Sequence, residues 1–439
     1  MVSERSESFR PVSAVDRRDG TVAVALEPLF VLMFGGAPPV TFECWDGSVV
    51  EPRVPGAVAG RVRLRGPVAL GRVIWAPGEL GLGRAFVAGD VDLDGDVPAL
   101  LRALQGGARR ARLAPRELAF AVRAAVRLGV LGRPPAPPAE EARLRGRRHS
   151  KRRDARAVSH HYDVGNDFYR LVLGETMTYS CARWGGAATT LDAAQHAKHE
   201  LVCRKLGLVD RPGRRLLDVG CGWGSMAIHA AMRYDAEVVG VTISEEQGAL
   251  ARQRVKDAGL EDRVEIRVQD YRDLAGETFD AISSIGMFEH VGRERAAEYF
   301  SALRALLRPT GRLLNHAISS VGGSRIGARS FMGRYVFPDA ELVDVADVVA
   351  AMQRAGFEVR DVESLREHYA KTLRAWIANL ETGWDTTVRQ VGEGRARVWR
   401  LYMAGSVVGF DDGGLAVHQV LGVATPVDGT SAMPWHRNW

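Results

Sequence analysis

The stretch Leu216-Leu-Asp-Val-Gly-Cys-Gly-Trp-Gly-Ser225 ends a short apolar run in an acid and then sets glycines at every second position. Gly220, Gly222 and Gly224 allow the tight turn and close backbone approach that a nucleotide-like ligand needs between a strand and a helix, and residues 225–233 continue as that helix. Such turns also serve as plain connections, so the glycines alone do not name a ligand. A dinucleotide-binding sheet carries an acid about 20 residues past the glycines to hold a ribose. Thr242 stands there instead, which argues against NAD and leaves the ligand open. A second chemical feature is the nearly unopposed basic run Arg143, Arg145, Arg147, Arg148, Lys151, Arg152, Arg153 and Arg156. No aromatic interleaving or nucleic-acid module accompanies it, so acidic lipid headgroups suit it better than nucleic acid. A solvated linker is the plain alternative.

The glycine turn needs a sheet to hold it, and the chain around it alternates strands and helices. Strands are predicted at 215–219, 237–243, 264–268, 279–285 and 311–318, with helices at 245–258 and through Arg308. This alternation predicts an α/β fold with a mostly parallel, doubly wound sheet. Ligands bind at the carboxyl ends of such strands, here Asp218–Gly222, Thr242, Asp270, Gly286–Glu289 and His316. Ahead of this region, residues 1–20 read as a loose terminus and 22–104 as a small α+β domain. Asp46-Gly47 signals a hairpin, and 78–83 reads as a glycine turn leading to a helix over 97–104. Residues 115–130 predict a helix with Arg116, Arg123 and Arg127 beside Leu118, Val122 and Val126, able to lie on an anionic membrane or to pack on its own domain. The proline-rich stretch 132–141 predicts an extended spacer. The expected domains are 1–130, a linker at 131–158, and 159–439.

Composition narrows the setting. The 439 residues and 46% hydrophobic content can build two or three domains with a sizeable core. The 59 basic against 53 acidic residues leave a mild charge of +6. Cys44, Cys181, Cys203 and Cys221 are far apart without a Cys-x-x-Cys pair, so neither a metal site nor a disulfide framework is predicted, and a reducing cytoplasm fits. The apolar run 22–34 is broken by Glu27 and Pro28 and is too short to span a bilayer, and no signal peptide precedes it. Work at a membrane would be done from its surface.

Six ordered motifs between about His160 and Val420 carry a resemblance: Tyr179-Ser-Cys-Ala182, Leu217 to Gly224, Gly240-Val-Thr-Ile-Ser244 with Gln247, Gln269-Asp-Tyr271, Gly286-Met-Phe-Glu-His-Val-Gly292, and His368-Tyr-Ala-Lys-Thr-Leu-Arg-Ala-Trp376. Together they closely resemble the cyclopropane-fatty-acyl-phospholipid synthase family, with a weaker likeness over 78–95 to an amino-terminal lipid-binding domain. The resemblance implies a Rossmann-like class I methyltransferase using S-adenosylmethionine. Gly220 and Gly222 would cradle its amino-acid part, with Asp218 beneath and Tyr179 and Ser180 closing over it. Thr242, Ser244 and Gln247 would meet the ribose, and Asp270 and Tyr271 the adenine. For Asp218 the plain alternative is an acid that accepts N–H bonds from the glycine loop.

The implied reaction adds a methylene across the cis double bond of a phospholipid acyl chain. A sulfonium methyl is a strong electrophile, the resulting cation must lose a proton, and water must be kept out. The resemblance implies bicarbonate as the base, held by Cys181, Glu289, His316, Tyr369 and the backbone near Ile318. Each of these would look ordinary alone. Ser406 stands where some relatives carry a second cysteine and is expected to line the site without being required. Residues 331–338 and the helices from Tyr369 to Phe410 would form the acyl tunnel or simply core, with Arg325, Arg329 and Arg334 placed to meet a phosphate. The implied partner is unsaturated phospholipid in an anionic membrane, on the inner face of the cell membrane, with a homodimer left open. Rival readings are a relative yielding a methylene-branched chain and a non-catalytic lipid-binding protein.

Overall fold

The computed structural model describes residues 21–52, 60–107, 115–130, 132–142, 164–210, 212–274, 276–323, 327, 330–338, 340–437 and 439. The basic run 143–156, His160, Arg325 and Arg329 lie outside them, as do the side chains of Arg116 and Leu118. The chain divides into two compact units, 1–141 and 142–439.

In the first unit α1 (Val22–Phe34) precedes β1 (Thr41–Glu43) and β2 (Val49–Val50), an antiparallel pair in which Phe42 faces Val50. Asp46-Gly47 makes the connecting turn, with Gly47 at φ 79°. β3 (Gly60–Leu64), α2 (Pro67–Trp75), α3 (Glu79–Val87), β4 (Val91–Gly95), α4 (Val97–Gly107) and α5 (Pro115–Arg127) complete the unit around a sheet ordered β2-β1-β3-β4. Residues 78–83, expected as a turn, instead open α3. A Cβ at Gly81 would stand 2.2 Å from the Ala76 carbonyl oxygen and 2.7 Å from that of Arg72, so this glycine permits close helix approach. The proline-rich stretch, expected as a linker, belongs to this unit. Arg72 Nη1 donates to the Ala136 carbonyl (2.8 Å), and Arg84 donates to both Glu141 oxygens (2.8 Å each). Among the described residues no helix is long and apolar enough to cross a membrane.

The second unit begins with α6 (Asn166–Leu173) and α7 (Leu191–Leu206), the latter capped by Thr190 Oγ1, which accepts from Ala193 N. It continues as β5 (Arg215–Val219), α8 (Ser225–Tyr234), β6 (Glu237–Thr242), α9 (Glu245–Asp257), β7 (Val264–Val268), β8 (Phe279–Ile285), α10 (Ala296–Ala305) and β9 (Leu307–Ser320). After α11 (Val345–Arg354) and β10 (Glu358–Ser364), three helices, α12 (Arg366–Thr382), α13 (Trp384–Val391) and α14 (Glu393–Asp411), are inserted before β11 (Leu415–Val423). The seven strands order as β10-β11-β9-β8-β5-β6-β7, and β11 alone runs against the rest.

Alternation along the strands explains why helices cover both faces. Leu216 and Val238 pack with Val202, Leu206, Ala227 and Ala251 from α7, α8 and α9, whereas Leu217 and Val239 pack with Phe300, Leu303, Val348 and Met352 from α10 and α11. A parallel sheet buried on two sides leaves its carboxyl edge as the open rim, and the glycine turn sits there.

Candidate active site

Gly220, Gly222 and Gly224 adopt φ of 76°, 56° and 79°, a left-handed run that non-glycine residues resist. The turn hangs from β6: Gly220 N and Cys221 N both donate to the Val241 carbonyl, at 2.9 and 3.0 Å. No side chain caps α8, so its first turn opens toward the cleft with the positive end of its dipole. The cleft encloses about 1260 Å3, part of it open to solvent.

Tyr179, Ser180, Asp218, Gly220, Gly222, Thr242, Gln247, Asp270 and Tyr271 all line this cleft. Ser244 does not. Its Oγ caps α9 by accepting from Gln247 N (3.2 Å), while Thr242 Oγ1 donates to Gln247 Oε1 (2.9 Å), so Ser244 positions a cleft residue. Asp218 is not used as the loop's acceptor; Ser283 Oγ donates to its Oδ1 at 2.7 Å. Burial raises Asp218 to about 6, against the lowering effects of Ser283 and Lys198. Asp270 takes a two-pronged ion pair from Arg272.

Lys198, which sequence reasoning missed, is buried at the cleft and donates from Nζ to Ser180 Oγ (3.0 Å). Burial lowers it to about 8, and the nearby Cys181 and Asp218 oppose that shift. A signal existed: Lys198 and Lys205 continue the α7 stripe of Ala194, Leu201 and Val202, where a solvated lysine has no place. Tyr402 was also missed as a site residue. Its hydroxyl lies 2.9 Å from that of Tyr179 and so holds a cleft side chain from α14.

Cys181, Glu289, His316 and Tyr369 lie next to the cleft lining. Cys181 follows Ser180, and its buried Sγ faces the carbonyls of Ala182 (3.2 Å) and Leu365 (3.6 Å), burial pushing the thiol pKa up. Glu289 sits between the cleft residues Met287 and His290. Ile318 N donates to its Oε1 (2.8 Å), while Oε2 is buried without a partner. Burial raises Glu289 to about 7. His316 on β9 stands in register with Ile285 of the cleft wall. Gln419 Nε2 donates to its Nδ1 (3.2 Å), which leaves the proton on Nε2, also buried and unpartnered. Burial, then Lys198 and Lys205, lowers His316 to about 3, so the ring is neutral. The Tyr369 ring lies 4.7 Å from Phe410 and 6.0 Å from Trp376, which packs on Tyr179 at 5.3 Å.

Glu289 and Ile318 are joined directly, and Glu289 Oε2 and His316 Nε2 remain as two orphaned polar atoms. A carboxyl in its protonated form, which burial favours here, and an imidazole N–H can both donate to a small oxyanion, so these residues fit bicarbonate by chemistry. The glycine loop likewise fits an adenosyl ligand, because a Cβ at Gly222 would meet nothing within 4 Å and the space before it is free.

Ser406 is buried on α14. Phe331 stacks on Tyr335 at 4.9 Å, and Phe337 meets Tyr402 edge-on at 5.5 Å, which joins the 331–337 segment to the inserted helices. Arg334, on the same segment, is partly buried.

Known proteins resemble this chain in both sequence and fold. Residues 149–420 match the model of the mycolic acid cyclopropane synthetase family. The chain is 43% identical to a probable fatty acid methyltransferase of Mycobacterium tuberculosis, over 94% of this chain and 97% of that protein. It is 39% identical to the cyclopropane-fatty-acyl-phospholipid synthase of Escherichia coli, over 58% of this chain and 64% of that enzyme. Among solved structures, a mycolic acid cyclopropane synthase complexed with SAH and CTAB superposes with a TM-score of 0.58 at 34% identity, covering 61% of this chain and 98% of that one. The chain therefore belongs to the mycolic acid cyclopropane synthetase family and is an S-adenosylmethionine-dependent methyltransferase with the α/β fold of class I enzymes.

Proposed function

We propose that the enzyme adds a methylene to the cis double bond of an unsaturated phospholipid acyl chain and closes a cyclopropane ring. The observation that carries this reading is the pair of orphaned atoms, Glu289 Oε2 and His316 Nε2, buried beside a cleft shaped for the methyl donor.

S-adenosylmethionine supplies the electrophilic methyl. The chain's own residues bind it: Gly220, Gly222 and the start of α8 take the amino-acid part, with Lys198 giving a buried positive charge toward its carboxylate. Thr242 and Gln247 take the ribose, and Asp270 with Tyr271 the adenine. Tyr179, held by Tyr402, closes the cleft. Bicarbonate would be held by Cys181, Glu289, His316 and Tyr369 and would supply the base, while Ile318 N, already given to Glu289 Oε1, fixes that carboxyl. Glu289 orients it through a proton on Oε2, and His316 through the N–H of Nε2. The ring of Tyr369 faces developing positive charge with its π cloud, and the packed aromatics around it exclude water. The inserted helices and residues 331–337 form the walls for the acyl chain.

The first unit is proposed to hold the enzyme on an anionic membrane surface, on the inner face of the cell membrane. Support comes from large apolar side chains left exposed there: Val68, Ile74, Trp75 and Leu82 on α2 and α3, and Val122 and Val126 beside the exposed Arg123 and Arg127 on α5.

Incubation with oleoyl phospholipid vesicles and S-adenosylmethionine, followed by mass spectrometry of intact lipids, tests the substrate. A gain of one CH2 on vesicle phospholipid is expected; a gain on free fatty acid only, or none, refutes it. A methylene-branched product is the second reading. A relative matched along nearly its whole length is named a probable fatty acid methyltransferase, a name that leaves ring closure open.

A further inference from the structure

Behind the glycine turn, α7 carries His196 and His199 three positions apart, and α8 carries His229 opposite them. One ring nitrogen of each lies within 4.8 Å of the others. His229 packs against both rings, with centroids 5.4 Å from His199 and 6.0 Å from His196. His196 is exposed, whereas His199 is only 1% exposed. Both nitrogens of His199 and Nε2 of His229 are buried with no hydrogen-bond partner. Buried imidazole nitrogens left bare are costly, and here one nitrogen each of the buried His199 and His229 meets one of the exposed His196, so that the lone pairs of three rings from two helices can share one acceptor.

We infer that His196, His199 and His229 bind one divalent transition-metal ion of the zinc type, with the fourth position open to water. Imidazole is a preferred donor for zinc, nickel and copper and a poor one for magnesium or calcium. A tetrahedral ion with bonds of about 2.0–2.1 Å holds its donors roughly 3.4 Å apart. From a spacing within 4.8 Å, small ring rotations close the shell. Exposure of His196 gives the ion a route in. Glu200 Oε2, 3.6 Å from His229 Nε2, places a negative charge at the shell. Arg254, which borders the same hollow, is held by the carbonyls of Trp223 (2.6 Å) and Thr176 (3.2 Å).

The three imidazoles have no part in the proposed chemistry, although His199 also borders the methyl-donor cleft. It ties the helix bearing Lys198 to the helix that follows the glycine turn, so the ion acts as a clamp between them.

The test uses the full chain without a histidine tag, stripped with chelator and titrated with Co2+ by visible absorption and Zn2+ by calorimetry. One equivalent per chain is expected, with the visible bands of a low-symmetry Co2+ site. His196→Gln and His229→Gln should each weaken binding by more than the roughly 10–100-fold that an outer-shell partner is worth. Zn2+ should raise the unfolding temperature of the native chain and leave that of the double variant unchanged. No stoichiometric binding, or equal binding by the double variant with native circular dichroism, overturns the inference. If His229→Gln does not fold, His196→Gln, a change at an exposed position, decides it alone.

Discussion

Glu289→Gln should make the enzyme more stable and nearly inactive, and the stability gain should depend on pH. The carboxyl sits near 7 in the fold against an ordinary 4.5, because burial disfavours its charge. Between those values the folded chain holds a proton that the unfolded chain releases, so native stability falls as pH rises from 4.5 to 7 and then levels off. The shift costs about 3 kcal/mol at pH 8 and about 1 kcal/mol at pH 5. An amide of the same shape keeps the acceptor for Ile318 N and never ionises. Its advantage over the native chain should therefore grow by about 2 kcal/mol from pH 5 to pH 8. Urea unfolding of both proteins at both pH values, in buffer freed of carbon dioxide, measures this difference of differences. Turnover should fall at least about a hundredfold, the lower range for a lost proton-handling group. An advantage that is equal at both pH values refutes the burial argument, and full turnover refutes the role given to Glu289.

Other substitutions probe separate parts. Lys198→Met should weaken S-adenosylmethionine binding at least about tenfold, as expected for a charged hydrogen bond lost in a buried site, and calorimetry on the folded variant reads it. Lys205 pairs inside the protein with Asp361 at 2.8 Å and Glu363 at 2.5 Å. Lys205→Met should destabilise by about 3–5 kcal/mol in denaturant unfolding because it strands a buried carboxylate. Arg437, 3.1 Å from Asp361, should keep the loss toward the lower end. Ser406→Ala should leave turnover within about fivefold, since a buried hydroxyl is worth only about 1 kcal/mol; abolished turnover with intact lipid binding contradicts this. Replacing Trp75 and Leu82 together by serine should reduce flotation with anionic vesicles while methyl transfer to detergent-dispersed lipid persists.

The central sheet was legible because its signals are local. Strands at 264–268 and 279–285 fall where alternation placed them, and the glycines at 220–224 adopt the positive φ that their type permits. Residues 78–83 misled for the opposite reason. Gly81 is required by the approach of α2, a tertiary contact that a local reading takes for a turn. The proline stretch at 132–141 looked like a spacer, yet arginines from distant positions hold it to the first unit. Ser244 looked like a ligand contact and is a helix cap. Lys198 and the histidines of α7 and α8 were passed over because polar residues in a helix read as solvated unless the stripe they continue is followed. The orphaned atoms of Glu289 and His316 arise only from the three-dimensional meeting of the β8 turn, β9 and β11.

Proton NMR of the acyl chains recovered from oleoyl phospholipid vesicles after turnover tests the proposed reaction most directly. Olefinic signals should be replaced by high-field cyclopropane ring protons, and the Glu289→Gln enzyme should produce neither change. Vinylidene protons or a branched methyl in place of the ring would show that the proton leaves from elsewhere, and would contradict the role assigned to the buried pair of Glu289 and His316.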